Sequence, residues 1–121
     1  MKRDMELIRK MLLAMEGEPS GFAPISFALD GYTGEQIGYH ALLLVEAGLA
    51  DGNEVTHTES SSPTAILTRL TWAGHEFADA ARDDTRWNKA MGIIKEKAGS
   101  ISLAVLTSLL TMMMQKAVGL P

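Results

Sequence analysis

Apolar residues recur at helical spacing near the start of the chain. They lie three or four positions apart, at Met5, Ile8, Met11, Leu12 and Met15. This spacing predicts a helix over residues 3–16 with one buried face. Arg9 belongs to the charged residues that we expect on the opposite side. The glycines and the proline of residues 17–21 predict the turn that ends the helix.

A short strand and a second helix are predicted next. Residues 25–29 alternate between large apolar and small side chains, which is typical of a strand. Thr33 and Gln36 have the spacing of a capping box, in which each side chain accepts a hydrogen bond from the other residue's backbone N–H. The second helix therefore begins at Thr33 and reaches about Ala47, where Gly48 stops it. Its outward face is expected to carry Gln36, Tyr39, His40 and Leu43.

A two-stranded hairpin follows the second helix. Turn-forming residues at 51–53 and a serine-rich tip at 59–63 predict a wing over about residues 51–71. The strands of this wing are expected over residues 54–58 and 65–71.

Three more helices are predicted after the hairpin. The third helix covers residues 72–82, and the fourth helix runs from Asp84 to Gly99. The fifth helix begins after the capping residue Ser102 and reaches about Val118.

The order of these elements resembles a winged-helix domain. Residues 39–49 resemble the end of a recognition helix that leads into a wing, and residues 70–77 resemble the passage that leaves the wing in many bacterial regulators. We therefore expect an α+β fold with a winged-helix-like core of helix, strand, helix and two-stranded wing over residues 1–71. A C-terminal extension of three helices over residues 72–121 completes a single domain of residues 1–121.

A second resemblance covers nearly the whole chain. It is carried by residues 1–9, by residues 31–33 with Tyr39 and His40, and by residues 71–87. These passages resemble a DUF2513-like family of small bacterial and prophage proteins, a domain of unknown function. The resemblance implies a bacterial or phage protein of the cytoplasm and supplies no activity.

The composition and charge exclude several kinds of function. Apolar residues make up 46% and charged residues 21% of the chain, as in globular domains. The absence of cysteine excludes a disulfide framework, a thiolate zinc site and a cysteine nucleophile. The net charge is −4, and no Lys or Arg lies between Lys10 and Arg69. Because Lys and Arg make most phosphate contacts, this charge pattern argues against DNA binding by the second helix and the wing tip.

The remaining surfaces favour protein interaction. Tyr39 and Leu43, among acidic and neutral residues, resemble the composition of a protein interface. More than half of the circumference of the fifth helix is apolar, which favours self-association as a homodimer. The expected dimer interface consists of Val105, Leu106, Leu109, Leu110 and Met113.

Catalysis is not expected from this sequence. His75, Glu76 and Asp79 lie close together on the third helix, but a metal site needs ligands that converge from further positions. The chain lacks a glycine-rich phosphate loop and a nucleophile elbow. We therefore expect no enzyme activity, no cofactor and no metal. The uncharged stretch between Lys97 and Lys116 contains too many polar residues for a membrane span, so we expect a cytoplasmic protein.

Two functional hypotheses follow. The first is a non-catalytic binding module, a small regulator or adaptor that acts sterically on an unidentified protein partner, for example by inhibiting a host complex. Its expected contact surface is the wing together with the second-helix residues Gln36, Tyr39, His40 and Leu43. The alternative is a dimeric winged-helix transcription regulator that contacts DNA through the same surface and through Arg82, Arg86 and Lys89.

Overall fold

The computed structural model describes residues 1–98 and 102–121, which form five helices and one two-stranded sheet. The helices are α1 (Met5–Glu16), α2 (Gly34–Glu46), α3 (Trp72–Ala81), α4 (Asp84–Ala98) and α5 (Leu103–Ala117), and the strands are β1 (Ala50–Glu54) and β2 (Ala65–Leu70). The α+β fold class is confirmed. The arrangement of helices and strands is compatible with a winged-helix-like core.

The chain divides into two compact units, Met1–Ala78 and Asp79–Pro121. The division lies inside α3. Within the second unit, α4 packs against α5. The buried apolar side chains of these two helices are Trp87, Ala90, Ile94, Leu106 and Leu110.

Helix α1 begins at Met5 because Asp4 is its extended N-cap residue. The Asp4 carboxylate accepts hydrogen bonds from the backbone N–H groups of Glu6 and Leu7, at 2.9 and 3.1 Å. The predicted apolar face of this helix is confirmed, since all five of its residues are buried. The outward placement of Arg9 is wrong: Arg9 is buried, and its guanidinium lies 3.4 Å from the Glu6 carboxylate.

Helix α2 begins with the predicted capping box. The Gln36 N–H donates to the Thr33 hydroxyl at 3.1 Å, and the Thr33 N–H donates to the Gln36 side-chain oxygen at 2.8 Å. At the other end, Ala47 is the C-cap residue, and Gly48 has a φ of +74°, a conformation that favours glycine. Both predicted helix boundaries are confirmed.

The strand expected over residues 25–29 is wrong. In the described part of the chain these residues join no sheet. Phe27 and Leu29 are half-buried without forming a ladder, whereas Ile25 is fully exposed. The segment does approach the sheet two residues earlier, where the Ala23 N–H donates to the Thr68 carbonyl oxygen at 2.7 Å.

The hairpin is antiparallel, and its first strand begins earlier in the chain than predicted. Ala50 pairs with Leu70, and the register is irregular between Asp51 and Gly52. Residues 51–53 therefore lie in β1 and not in a turn, and residues 55–58 lie outside the strand. Glycine suits the irregular position in this strand, because a Cβ at Gly52 would collide with the carbonyl oxygen of Ile66 on β2.

The predicted starts of the last three helices are confirmed. Helix α3 begins at Trp72 and α4 begins at Asp84. Ser102 caps α5, and its hydroxyl accepts from the Val105 N–H at 3.5 Å. The expected end of the fourth helix at Gly99 lies outside the described residues. Among the described residues, no helix combines the length and hydropathy needed to cross a bilayer.

Candidate functional site

The residues that were expected on the outward face of α2 occupy different environments. Gln36, Tyr39 and Leu43 are half-buried. His40 is only 1% exposed, so its predicted place on the outward face is wrong. The inner face of α2 includes His40 because the start of α1 lies against it.

Both ring nitrogens of His40 form hydrogen bonds. Nε2 accepts from the backbone N–H of Asp4 at 2.8 Å, and Nδ1 lies 2.7 Å from the Gln36 carbonyl oxygen. A backbone N–H can only donate, so Nε2 must be unprotonated and Nδ1 must carry the proton. His40 therefore links the N-terminus of α1 to α2 and is not available as a contact residue.

An apolar groove lies on another side of α2. It encloses about 570 Å³ between residues 23–27, helix α2 and strand β2, all within the unit Met1–Ala78. From α2 the lining residues are Gly34, Ile37, Gly38 and Ala41, and from β2 they are Ala65, Ile66 and Leu67. Ser26 is the one lining residue with a polar side chain.

The small residues of α2 create the space in this groove. Gly34, Gly38 and Ala41 lie four and three positions apart and therefore share one helical face. A Cβ at Gly34 would meet no atom within 4 Å, so the volume above this residue is open. At Gly38 a Cβ would lie 2.5 Å from the Thr64 hydroxyl oxygen, so glycine there lets the hairpin approach the helix.

Exposed apolar side chains stand beside the groove. Ile25 is fully exposed and Ile66 is 65% exposed, and both line the groove. Phe22, immediately before the lining segment, is also 65% exposed. Large apolar side chains grouped around a concave surface are typical of an interaction site.

Charged residues of both signs are neighbours of the groove's lining residues, and Arg69, two positions after Leu67 on β2, forms an ion pair with Asp51 at 2.8 Å. Every formally charged residue between Lys10 and Arg69 is Asp or Glu. Glu35 follows Gly34 on α2, and Glu54 pairs with the lining residue Ala65 across the sheet. Both carboxylates belong to exposed residues. Two exposed glutamates are thus neighbours of lining residues, Glu35 along α2 and Glu54 across the sheet, and we call this pair the acidic border of the groove.

The groove was not predicted from the sequence, although the sequence contains one indication of it. The spacing of Gly34, Gly38 and Ala41 marks a helix face without large side chains. Residues 23–27 and β2 form the other wall of the groove. Contacts between segments far apart in the chain determine where these residues lie, so the sequence pattern alone does not predict this wall.

The basic residues of the DNA hypothesis lie among carboxylates. Arg82 forms an ion pair with Asp79 at 2.9 Å, and the Asp83 carboxylate accepts from the Arg86 backbone N–H at 2.8 Å. Asp79, Arg82, Asp83 and Arg86 line one pocket together with Met114 and Val118. The Arg86 Nε is buried without a hydrogen-bond partner among the described residues, and Lys89 is exposed. The local charges of this pocket largely balance.

The expected dimer residues of α5 separate into buried and accessible groups. Leu106 and Leu110 are completely buried within the chain, so their assignment to a dimer surface is wrong. Val105 is 55% exposed, and Leu109 and Met113 are half-buried.

The predicted acidic and histidine residues of α3 remain at the surface. His75, Glu76 and Asp79 are all exposed, and Glu76 accepts a hydrogen bond from the Trp72 indole at 3.0 Å. Within residues 1–98 and 102–121, no group of three or more His, Asp or Glu side chains could hold a metal ion.

Comparison with known proteins identifies relatives of this chain. The sequence profile of a family described as "Hypothetical protein (DUF2513)" matches residues 2–100. A protein of Haemophilus influenzae described as "Uncharacterized protein" is 41% identical over 106 residues, which cover 85% of this chain and 86% of that protein. No solved structure gives a significant match.

Proposed function

We propose that this chain, which belongs to the DUF2513 family, is a non-catalytic module that binds a protein segment in the groove beside α2. The observation that carries the proposal is the combination of an apolar lining with an acidic border. The expected occupant is a segment with one large apolar side chain between Lys or Arg residues.

The apolar lining supplies the affinity in this proposal. A groove of about 570 Å³ accommodates a leucine- or phenylalanine-sized side chain. Burial of such a side chain contributes about 1.5–3 kcal/mol. Ile25 and Ile66 are exposed to solvent at the edge of the groove, so a partner that covers them buries additional apolar surface.

The acidic border supplies the selectivity. Glu35 and Glu54 repel an acidic segment and attract a basic one. Both carboxylates are exposed, so their main effects are on the association rate and on the salt dependence of binding.

Such a module acts sterically, by occupying a partner segment that would otherwise bind elsewhere. We therefore propose a small cytoplasmic regulator or adaptor of bacterial or phage origin. The relative in Haemophilus influenzae supports a bacterial source. The contact surface in this proposal is the groove, and the half-buried Gln36, Tyr39 and Leu43 lie outside it.

Selection from a displayed random-peptide library tests the proposal. We expect enriched peptides to share a Leu, Ile or Phe flanked by Lys or Arg, and their binding to weaken as salt rises. The double variant Glu35→Gln/Glu54→Gln should reduce this salt dependence. Failure to enrich any peptide, or enrichment of peptides with acidic flanks, would contradict the proposal.

The winged-helix-like arrangement favours a second candidate function, that of a dimeric DNA-binding transcription regulator. In that case Arg82, Arg86 and Lys89 would contact phosphates. Fluorescence anisotropy with a random-sequence DNA duplex at low salt distinguishes the two candidates. The protein-binding proposal expects no change in anisotropy, whereas binding that a triple Arg82→Ala/Arg86→Ala/Lys89→Ala variant abolishes would favour the regulator.

A further inference from the structure

The groove beside α2 runs along an open edge of the sheet. In the described part of the chain the sheet has two strands, so β2 pairs with β1 on one side only. Ala65, Ile66 and Leu67 are consecutive in β2, and their side chains alternate between the two faces of the sheet. All three residues nevertheless line the groove. The groove therefore follows the outer edge of β2.

Main-chain groups of β2 are directed at this outer edge. The Thr64 carbonyl oxygen, immediately before the strand, accepts from the Val55 N–H at 3.0 Å. Along an antiparallel strand, residues that bond to the partner strand alternate with residues that do not. Thr64 and Ile66 therefore bond toward β1, whereas the N–H and C=O groups of Ala65 and Leu67 point away from it. Among the described residues, no group outside the sheet bonds to these two residues.

The chain itself makes one hydrogen bond to this edge and then leaves it. The Ala23 N–H donates to the Thr68 carbonyl oxygen at 2.7 Å. The next residue, Pro24, has no N–H to donate. Residues 25–27 line the groove but join no sheet in the part of the chain that the structure describes. The edge of β2 therefore accepts a neighbouring chain segment at Thr68 and stays open further along the groove.

We propose that the segment bound in the groove is an added β-strand, which pairs with β2 through the main-chain groups of Ala65 and Leu67. This inference rests on the proposed function of the groove. A strand matches the edge because its own N–H and C=O groups recur on one side at every second residue, about 7 Å apart, as those of Ala65 and Leu67 do. Its side chains also alternate, so one large apolar side chain enters the space above Gly34 while its two neighbours point to the opposite face.

Amide hydrogen exchange tests the proposal, followed by NMR on the full chain with and without the strongest library-selected peptide. We expect the amides of Ala65 and Leu67 to exchange rapidly in the free protein and at least about tenfold more slowly with saturating peptide. The internal control is Ile66, whose amide faces β1 and should respond much less. Unchanged exchange of Ala65 and Leu67 on binding overturns the proposal. Slow exchange of both amides in the free protein also overturns it, because the chain's own residues would then cover the edge.

Peptides that are methylated at one backbone nitrogen at a time give a second test. Each methyl group removes one donor, so we expect affinity to fall at least about tenfold at every second residue and to change little at the residues between. Equal losses at adjacent residues, or losses that recur every three or four residues, overturn the added strand.

The two levels of the proposal fail in different ways. A peptide that Gly34→Leu weakens, but that shows no alternation and no new amide protection, occupies the groove without pairing to β2. That result overturns the added strand and leaves the proposed function in place. A library that yields no binding peptide contradicts the proposed function, and the added strand with it.

Discussion

The backbone N–H of Asp4 donates to the Nε2 atom of His40 at 2.8 Å, across 36 positions of sequence. Asp4 also caps α1 through its carboxylate, so this one residue joins the start of α1 to the inner face of α2. The other ring nitrogen of His40 bonds to the Gln36 carbonyl within α2. His40 is therefore a structural residue of the core, and it fixes the helix that forms one wall of the groove.

Replacement of His40 should destabilise the fold. In His40→Phe the Asp4 N–H loses its acceptor, and we expect a decrease of about 1–2 kcal/mol in the free energy of unfolding. Urea titration followed by circular dichroism measures this change. The control is His75→Phe at an exposed histidine, which should alter stability by less than about 0.5 kcal/mol. Equal stability of the two variants would contradict the role of His40.

Gly74 should not tolerate even a methyl group. A Cβ at this position would collide with the carbonyl oxygen of Leu49, which also accepts a hydrogen bond from the Thr71 N–H at 3.1 Å. We expect Gly74→Ala to lower the free energy of unfolding by about 1–3 kcal/mol, because neither backbone segment can move freely.

Gly92 offers the matched control for Gly74. It also lies in a helix, but a Cβ at Gly92 would meet no atom within 4 Å. Gly92→Ala should therefore stabilise the protein by up to about 1 kcal/mol through its higher helix propensity. Thermal melting of both variants measures the effects, and a Gly74→Ala variant at least as stable as wild type would show that the packing of Gly74 is unimportant.

Loss of the capping box should weaken α2. In Thr33→Ala the Gln36 N–H loses its acceptor at the helix N-terminus, and we expect a decrease of about 1 kcal/mol in the free energy of unfolding. Denaturant titration checks the value. Thr58→Ala, at an exposed position in the loop between the strands, should change stability little. A neutral effect of Thr33→Ala would mean that water replaces the cap without loss.

Tyr32 should make stability fall at high pH. Partial burial raises the pKa of Tyr32 above its ordinary value of 10.0, and the carboxylates of Asp4 and Glu6 raise it further. The unfolded chain then loses this proton at a lower pH than the folded chain, so stability decreases as pH rises above 10. Urea titrations on both sides of pH 10 should show a smaller decrease for Tyr32→Phe than for wild type. The same decrease in both proteins would contradict this assignment.

The features that were predicted correctly depend on neighbouring residues. The capping box of Thr33 and Gln36, the cap at Ser102 and the apolar face of α1 each follow from spacings of three or four residues. Local hydrogen bonds and side-chain periodicity determine them, and both can be read from a sequence.

The features that were missed depend on residues far apart in the chain. The inward position of His40 follows from its bond to Asp4, and the place where residues 17–33 meet the sheet follows from the bond between Ala23 and Thr68. Gly52 is a turn former by composition, but it lies in β1, where the backbone of Ile66 on the distant strand β2 passes too close for a Cβ. Residues 23–27, helix α2 and strand β2 come together to form the groove, and only the glycine-lined face of α2 could have been predicted from the sequence.

The central claim is that the groove beside α2 binds a peptide, and filling the groove tests it most directly. Gly34→Leu places a side chain in the open space above Gly34 and also improves helix propensity, so loss of binding would not result from unfolding. Gly92→Leu makes the same change on α4, where a Cβ also meets open space.

The measurement is the affinity of the strongest library-selected peptide, determined by fluorescence anisotropy for wild type and for both variants. We expect Gly34→Leu to weaken binding at least about tenfold, which corresponds to about 1.4 kcal/mol, and Gly92→Leu to leave it unchanged. Equal affinity of wild type and Gly34→Leu would show that the peptide binds elsewhere and would contradict the claim.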